Sequence, residues 1–229
     1  MDDHESLDGH SIPDNIEGGP YRPSPEDFAP QSPKPLGPLQ IPPKGHSLQL
    51  ALLLYAACLG VSMIYWRSPY GKLLPISGQT FFGENQYWRA LSALFVHADI
   101  GHLMSNGPMF LIFGWYLHAY FGSKTFPFMA LILGVLTNIF TAFANDARVS
   151  LVGASGMVYA MVSLWLVLYV RHDVQRPVTV RIVRGLAFSL VVMFPSTFRP
   201  EVSYLAHGIG FALGIVMGLI TMNHFKPTI

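Results

Sequence analysis

The sequence predicts an all-α membrane protein in which six transmembrane helices form a bundle. Of the 229 residues, 51% are hydrophobic and only 12% are charged, and that charged share is about half of the value typical of soluble globular domains. A helix crosses the bilayer core with roughly 20 apolar residues, and six stretches of the chain approach that length. We therefore expect most of the chain to lie in a lipid bilayer.

Five of the six stretches contain no Asp, Glu, Lys or Arg. They are residues 47–66, 103–121, 126–144, 149–170 and 202–222. The predicted fifth span, residues 180–198, has a shorter uncharged part, but Arg181 and Arg184 can reach the interface from one end. The connection after the first span contains YWRALSALFVHA, residues 87–98. Its mixture of aromatic, apolar and basic residues predicts a membrane-associated first loop.

Residues 1–46 differ in composition from the rest of the chain. They hold ten of the 18 prolines and eight of the 13 acidic residues, and such a segment cannot bury enough apolar surface to fold alone. We expect a disordered, acidic, proline-rich N-terminal tail, either passive or bound to a partner through its proline runs. The predicted six-span domain covers residues 47–222, and residues 223–229 form a short C-terminal tail.

The distribution of charge predicts the orientation in the membrane. The net charge of +1 produces no overall field that would attract nucleic acid. If the N-terminal tail is cytoplasmic, nine Lys and Arg residues of the tail, the loops and the start of the fifth span fall on that side and five on the other. An excess of basic residues is typical of cytoplasmic loops, so the N-terminus is predicted to be cytoplasmic.

A serine and a histidine lie near the starts of two even-numbered spans. Ser155 is near the start of the fourth span and His207 near the start of the sixth, and alternating topology brings these starts to the same membrane face. A serine hydroxyl becomes an effective nucleophile when a neutral histidine accepts its proton. Because no Asp or Glu lies within a span, we predict a Ser–His dyad instead of a triad, with no metal and no cofactor.

Three other side chains have predicted supporting roles. His102 and Asn106, four residues apart at the start of the second span, share one helix face and offer hydrogen-bond donors to an oxyanion. Tyr159 is one helical turn from Ser155, so its ring is expected to pack against the imidazole of His207.

Glycines predict a close approach of the two helices that carry the dyad. Gly153 and Gly156 flank the serine, while Gly210 and Gly214 belong to a stripe in the sixth span. Such stripes let helix backbones approach each other in membranes.

Each of these signals has a structural alternative. G-x-S-G is also a common packing pattern, a single histidine is more often a satisfied interior residue, and Trp88 with Arg89 fits an interfacial anchor pair. The coincidence of depth, spacing and residue type favours a catalytic site. A transporter or channel would more typically carry charged residues within its spans, and none stands at mid-membrane.

The motifs and their order resemble the rhomboid family of intramembrane serine proteases. They are WR at Trp88 and Arg89, H-x-x-x-x-H-x-x-x-N at His97, His102 and Asn106, G-x-S-G at residues 153–156, Tyr159, and A-H-x-x-G-x-x-x-G at residues 206–214. The resemblance covers residues 47–222 and does not include the N-terminal tail.

The resemblance implies an endopeptidase that cleaves peptide bonds in or near transmembrane segments of other membrane proteins. The implied roles are nucleophile for Ser155, base for His207, oxyanion donors for His102 and Asn106, a stacking ring for Tyr159, and bracing of the WR loop for His97. A catalytically inactive relative, acting as a membrane-protein binding or quality-control factor, is the alternative. Six spans are typical of prokaryotic members, so the bacterial inner membrane is the expected location, with a eukaryotic membrane as the other possibility.

Overall fold

The computed structural model describes residues 45–197 and 203–227. Most of the predicted N-terminal tail, the chain from 198 to 202 and the last two residues lie outside this range. Within it the all-α class is confirmed, because the described chain is helical apart from turns, loops and one isolated antiparallel bridge between Ile76 and Leu151.

The helices are numbered in chain order. They are α1 (Ser47–Arg67), α2 (Arg89–Phe95), α3 (Ile100–Phe121), α4 (Ala130–Ala144), α5 (Ser155–His172), α6 (Val178–Thr197) and α7 (Tyr204–Thr221). Short 3-10 or π-helical segments occupy Pro69–Leu73, Gln79–Gly83 and Lys124–Met129. The six long helices correspond to the six predicted spans, and α2 lies in the first loop.

Among the described residues, three helical stretches are apolar and long enough to cross a membrane. By length and composition these are Ser47–Arg67, Lys124–Ala144 and Tyr204–Thr221. The helices α3, α5 and α6 contain more polar or basic residues, so membrane spanning by these three stays a prediction.

Among the helix starts that differ from the predicted bounds, those of α3 and α5 lie next to predicted site residues. Helix α3 starts earlier than predicted, because the Asp99 carboxylate accepts a hydrogen bond from the backbone N–H of His102 at 2.8 Å and so caps the first turn. Helix α5 starts at Ser155 and not at residue 149. Leu151 pairs with Ile76 in an extended bridge, and Gly153 has a φ of +112°, so the apolar segment before Ser155 is not helical.

Helix α5 occupies the centre of the bundle. Its residues Val158, Val162, Leu164 and Leu168 are fully buried, while α3, α4, α6 and α7 pack around it. The helices α3, α5 and α7 all begin at the same end, which we call the site end. At the opposite end, the His172 ring lies 3.0 Å from the Met222 carbonyl oxygen and joins α5 to the end of α7.

Candidate active site

A cavity of about 230 Å³ opens at the site end of the bundle. Its lining includes Ser155, His207, His102 and Asn106. The structure therefore brings together residues from three helix starts that lie far apart in the sequence.

The loop before α5 determines where Ser155 stands. Leu151 exchanges two backbone hydrogen bonds with Ile76, at 2.7 and 3.2 Å, and the N–H of Gly153 donates to the Ala93 carbonyl at 3.0 Å. Ser155 is the first residue of α5, where backbone N–H groups have no partner within the helix. Those N–H groups and the helix dipole favour a negative charge at this position.

Gly153 combines two features that require glycine. Its φ of +112° is unfavourable for any residue with a side chain. In addition, a Cβ atom at this position would lie 2.8 Å from Cε1 of His102. The loop that precedes Ser155 therefore passes directly against the ring of a second predicted site residue.

His207 lies in the first turn of α7, and packing holds its ring. The Ser203 hydroxyl caps this helix by accepting a hydrogen bond from the N–H of Ala206 at 3.3 Å. His207 is 6% exposed, and its imidazole stacks on the ring of Tyr159, with centroids 3.8 Å apart and planes at 15°. The ring of Tyr204 meets it edge-on at 6.5 Å.

No carboxylate orients this histidine in the part of the chain that the structure describes. Nδ1 of His207 is buried and has no hydrogen-bond partner there, and the described lining of the cavity contains no Asp or Glu. Ser155 and His207 share the cavity without a hydrogen bond between them in the described chain. Such bonds are often long in an unliganded enzyme and shorten when substrate is bound.

Helices α5 and α7 meet at backbone distance, as the glycines predict. A Cβ atom on Gly210 would lie 2.1 Å from the carbonyl oxygen of Gly156, and one on Gly214 would lie 2.2 Å from that of Ala160. Gly156 also faces α4, where an added Cβ would lie 2.6 Å from Cγ2 of Thr137. Any larger residue at these positions would separate the helices that carry Ser155 and His207.

His102 and Asn106 occupy the wall of the cavity on α3. The Asn106 amide is almost fully buried and donates one hydrogen bond to the His102 carbonyl at 3.1 Å. The amide nitrogen carries a second hydrogen, which can be donated to a group in the cavity. Their placement is compatible with the predicted oxyanion role.

The buried side chain of Arg89 connects separate segments of the first loop by hydrogen bonds. Arg89 is 5% exposed, and its guanidinium donates through Nη1 to the carbonyls of Lys72 and Pro75, at 3.1 and 3.0 Å. Its Nε donates to the side-chain oxygen of Gln86. Trp88 is half exposed, and the guanidinium lies 5.1 Å from its ring centre.

His97 connects the first loop to α1 and to the cavity wall. The backbone N–H of His97 donates to the Ser62 hydroxyl at 3.0 Å, and its carbonyl accepts from the Trp66 indole at 2.9 Å. The buried ring packs edge-on against that of His102, with centroids 5.2 Å apart. Burial, with a smaller contribution from His102, lowers the pKa of His97 to about 3, so the ring is neutral at physiological pH.

Asn138 is a cavity residue that the sequence analysis missed. It lies on α4, lines the cavity and donates through its amide to the Ala90 carbonyl at 3.0 Å. The available signal was a single amide side chain within an otherwise apolar span. Three serines, Ser105, Ser150 and Ser203, also line the cavity.

Known proteins that resemble this chain are rhomboid proteins. The family model described as "Rhomboid domain" matches residues 84–224. Rhomboid-related protein 3 of Homo sapiens is 28% identical over 154 residues, which are 62% of this chain and 38% of that protein. The rhomboid protein YdcA of Bacillus subtilis (strain 168) is 24% identical over 180 residues, 77% of this chain and 86% of that protein.

A plant protein is also similar to this chain. RHOMBOID-like protein 2 of Arabidopsis thaliana is 27% identical over 139 residues, which are 61% of this chain and 44% of that protein. The chain thus spans less than half the length of the human and plant relatives. The family match and the apolar helices identify an integral membrane protein, and this chain belongs to the rhomboid family.

Proposed function

We propose that this protein is an intramembrane serine endopeptidase that uses Ser155 as nucleophile and His207 as general base. The observation that carries the proposal is the meeting of these two residues in one cavity, with the His207 ring held by its stack on Tyr159. A hydroxyl and a neutral imidazole at one site are the components that acyl transfer requires.

In the proposed reaction, Oγ of Ser155 attacks the carbonyl carbon of a peptide bond while His207 accepts the hydroxyl proton. The oxyanion that forms is stabilised by the free N–H groups at the start of α5 and by donors from His102 and Asn106. His207 then gives its proton to the leaving amine, and an acyl-enzyme remains on Ser155. Water, deprotonated by His207, attacks the ester and restores the serine hydroxyl.

The proposed substrates are transmembrane segments of other membrane proteins. A scissile amide within a helix is shielded by its own backbone hydrogen bonds, so the substrate must unwind locally, and small or helix-breaking residues are expected near the cut. The proposed location is the bacterial inner membrane with a cytoplasmic N-terminus, which places the cavity towards the opposite face.

Cleavage of a labelled transmembrane substrate in liposomes tests this function. Wild type is expected to cleave, and Ser155→Ala is expected to lose nearly all activity because the acyl acceptor is gone. Ser150→Ala is the matched control, since Ser150 lines the same cavity and is expected to keep activity. Equal cleavage by wild type and Ser155→Ala would contradict the proposal, and binding without cleavage by wild type would support the inactive binding or quality-control alternative.

A further inference from the structure

The end of the bundle opposite the cavity contains a second concave surface, a groove of about 500 Å³. Helix α5 forms its floor with Val170, α6 forms one wall with Ile182 and Leu186, and α7 forms the other with Leu219. These wall residues are between 41% and 54% exposed. We call this surface the α6–α7 groove.

The groove is charged at its mouth and apolar along its length. Arg171 and Arg181 are the charged residues among those that line it, and the other lining residues are apolar. The apolar floor and wall continue from the mouth to Leu166 and Leu186. At a rise of 1.5 Å per residue this is about 7 Å or more along the helix axes, into the depth of the membrane.

The two arginines have no acidic partner in the described residues. Arg181 donates through Nη1 to the Val170 carbonyl, which fixes the guanidinium at the groove, and its buried Nε has no partner there. Arg171 contacts the neutral side chain of Asn223 at 3.4 Å. A guanidinium presents five N–H donors in a fork that matches phosphate geometry, so both side chains retain donors for an anion.

The surroundings of the groove are strongly basic. Among the described residues, the Lys and Arg side chains at this end are Lys124, Arg171, Arg176, Arg181, Arg184 and Lys226. Asp173 is the acidic residue at this end of the described chain, and it pairs with Arg176 at 3.0 Å. The local field therefore favours an anionic ligand.

We propose that the α6–α7 groove binds an anionic phospholipid, with one acyl chain along Val170, Ile182 and Leu219 and the phosphate at Arg171 and Arg181. Lipid tails run along the bilayer normal and headgroup phosphates lie at the membrane surface, which matches an apolar channel with a basic mouth. Basic pockets between helices are known binding positions for anionic headgroups. Binding at this end does not depend on proteolysis at the cavity.

Photolabelling of the purified full-length protein in nanodiscs tests this site. The probe is phosphatidylglycerol with a photoreactive acyl chain, compared with phosphatidylcholine that carries the same chain. We expect phosphatidylglycerol to label the peptides that contain Val170 and Ile182. Replacing both groove arginines, in Arg171→Gln/Arg181→Gln, is expected to weaken this labelling about 10- to 30-fold, at about 1 kcal/mol per basic residue.

Two further variants show whether a loss of labelling comes from the groove itself, from a general loss of basic charge or from misfolding. Lys124→Gln/Lys226→Gln removes the same charge from the same end outside the groove lining, and its labelling should stay close to wild type. Leu219→Trp fills the groove and should reduce labelling while both arginines remain. Thermal unfolding in detergent shows that each variant is folded.

Three results would overturn the proposal. They are equal labelling by the two lipids, equal losses in the arginine and lysine pairs, and labelling of the groove peptides that survives Leu219→Trp in a folded protein. Protection of the groove from the probe by the acidic N-terminal tail, seen as a cross-link between residues 1–44 and the groove, would also overturn it, because the tail would then be the occupant.

Discussion

Helices α6 and α7 both pack on the central helix α5, but they do so in different ways. Helix α7 meets α5 through glycines, so that backbone touches backbone at Gly210 and Gly214. Helix α6 makes its close approach at Gly185, where an added Cβ would lie 2.5 Å from a side-chain atom of Leu166. Its outer face carries Val191 and Phe194, which are 73% and 66% exposed.

The difference separates a pair of helices in backbone contact from a helix that packs mainly through side chains. In lipid no hydrophobic driving force favours burial of an apolar face, so contact between helices depends on packing and hydrogen bonds. The dense α5–α7 contact holds Ser155 and His207 in one cavity. The looser α6 is our candidate for the element that admits substrate, and greater hydrogen-exchange protection in α6 than in α7 would contradict this.

Breaking the α5–α7 contact should have the largest effect. Gly210→Ala puts a methyl group 2.1 Å from the Gly156 carbonyl oxygen, so the helices must separate, and we expect roughly a 100-fold or greater loss of cleavage rate. Gly208→Ala is the matched control, because an added Cβ there meets no atom within 4 Å. Comparable activity of the two variants in the liposome assay would show that close approach is not required.

Acid should destabilise the site end through His97. The pKa of His97 is about 3 in the folded protein against an ordinary value of 6.5, so below about pH 6.5 the unfolded chain binds a proton that the folded protein does not. The free energy of unfolding should then fall by about 1.4 kcal/mol per pH unit from this group until about pH 3. Denaturant titrations of wild type and His97→Phe at several pH values measure the slope, and an unchanged slope in His97→Phe would refute this origin.

Removing the aromatic stack on His207, the proposed base, should have a moderate effect. Tyr159→Leu eliminates the ring that lies 3.8 Å from that of His207, and aromatic pairs contribute about 0.5–1.5 kcal/mol. We expect about a 3- to 10-fold loss of kcat, since a less restrained imidazole is less often aligned. Tyr159→Phe retains the ring and should retain most activity. If both variants lose activity equally, the hydroxyl and not the stack is the important group.

The smallest effects are expected from the same substitution, Val to Ala, made once in α5 and once in α6. Val158→Ala in α5 leaves a cavity at a fully buried position and should cost on the order of 1 kcal/mol. Val191→Ala removes side-chain atoms from the outer face of α6, where lipid fills the space that they leave. This substitution should lower the free energy of unfolding by less than about 0.5 kcal/mol. Denaturant titration in detergent measures both, and equal costs would mean that α6 is packed as tightly as α5.

The sequence was sufficient to predict which helix starts line the candidate cavity. Alternating topology alone predicts that the starts of α3, α5 and α7 share one membrane face, and the glycine spacing predicts which helices touch. These inferences need only local patterns. The apolar composition was also sufficient to predict the all-α fold class.

Other features depend on contacts between distant parts of the chain. The extended segment before Ser155 is as apolar as a span, and its pairing with Ile76 and the bond from Gly153 to Ala93 distinguish it from helix. Asn138 reaches the cavity because α4 packs beside α5, and the bonds of Arg89 depend on how the first loop folds. No local pattern specifies these contacts, so the sequence did not predict them.

The most direct test of the central claim measures whether His207 activates Ser155. A serine-directed fluorophosphonate reacts with an activated hydroxyl, and the modified residue is identified by mass spectrometry. We predict modification at Ser155 in wild type, none in Ser155→Ala, and a rate about 100-fold or more lower in folded His207→Ala. Equal rates of modification in wild type and His207→Ala would contradict the account.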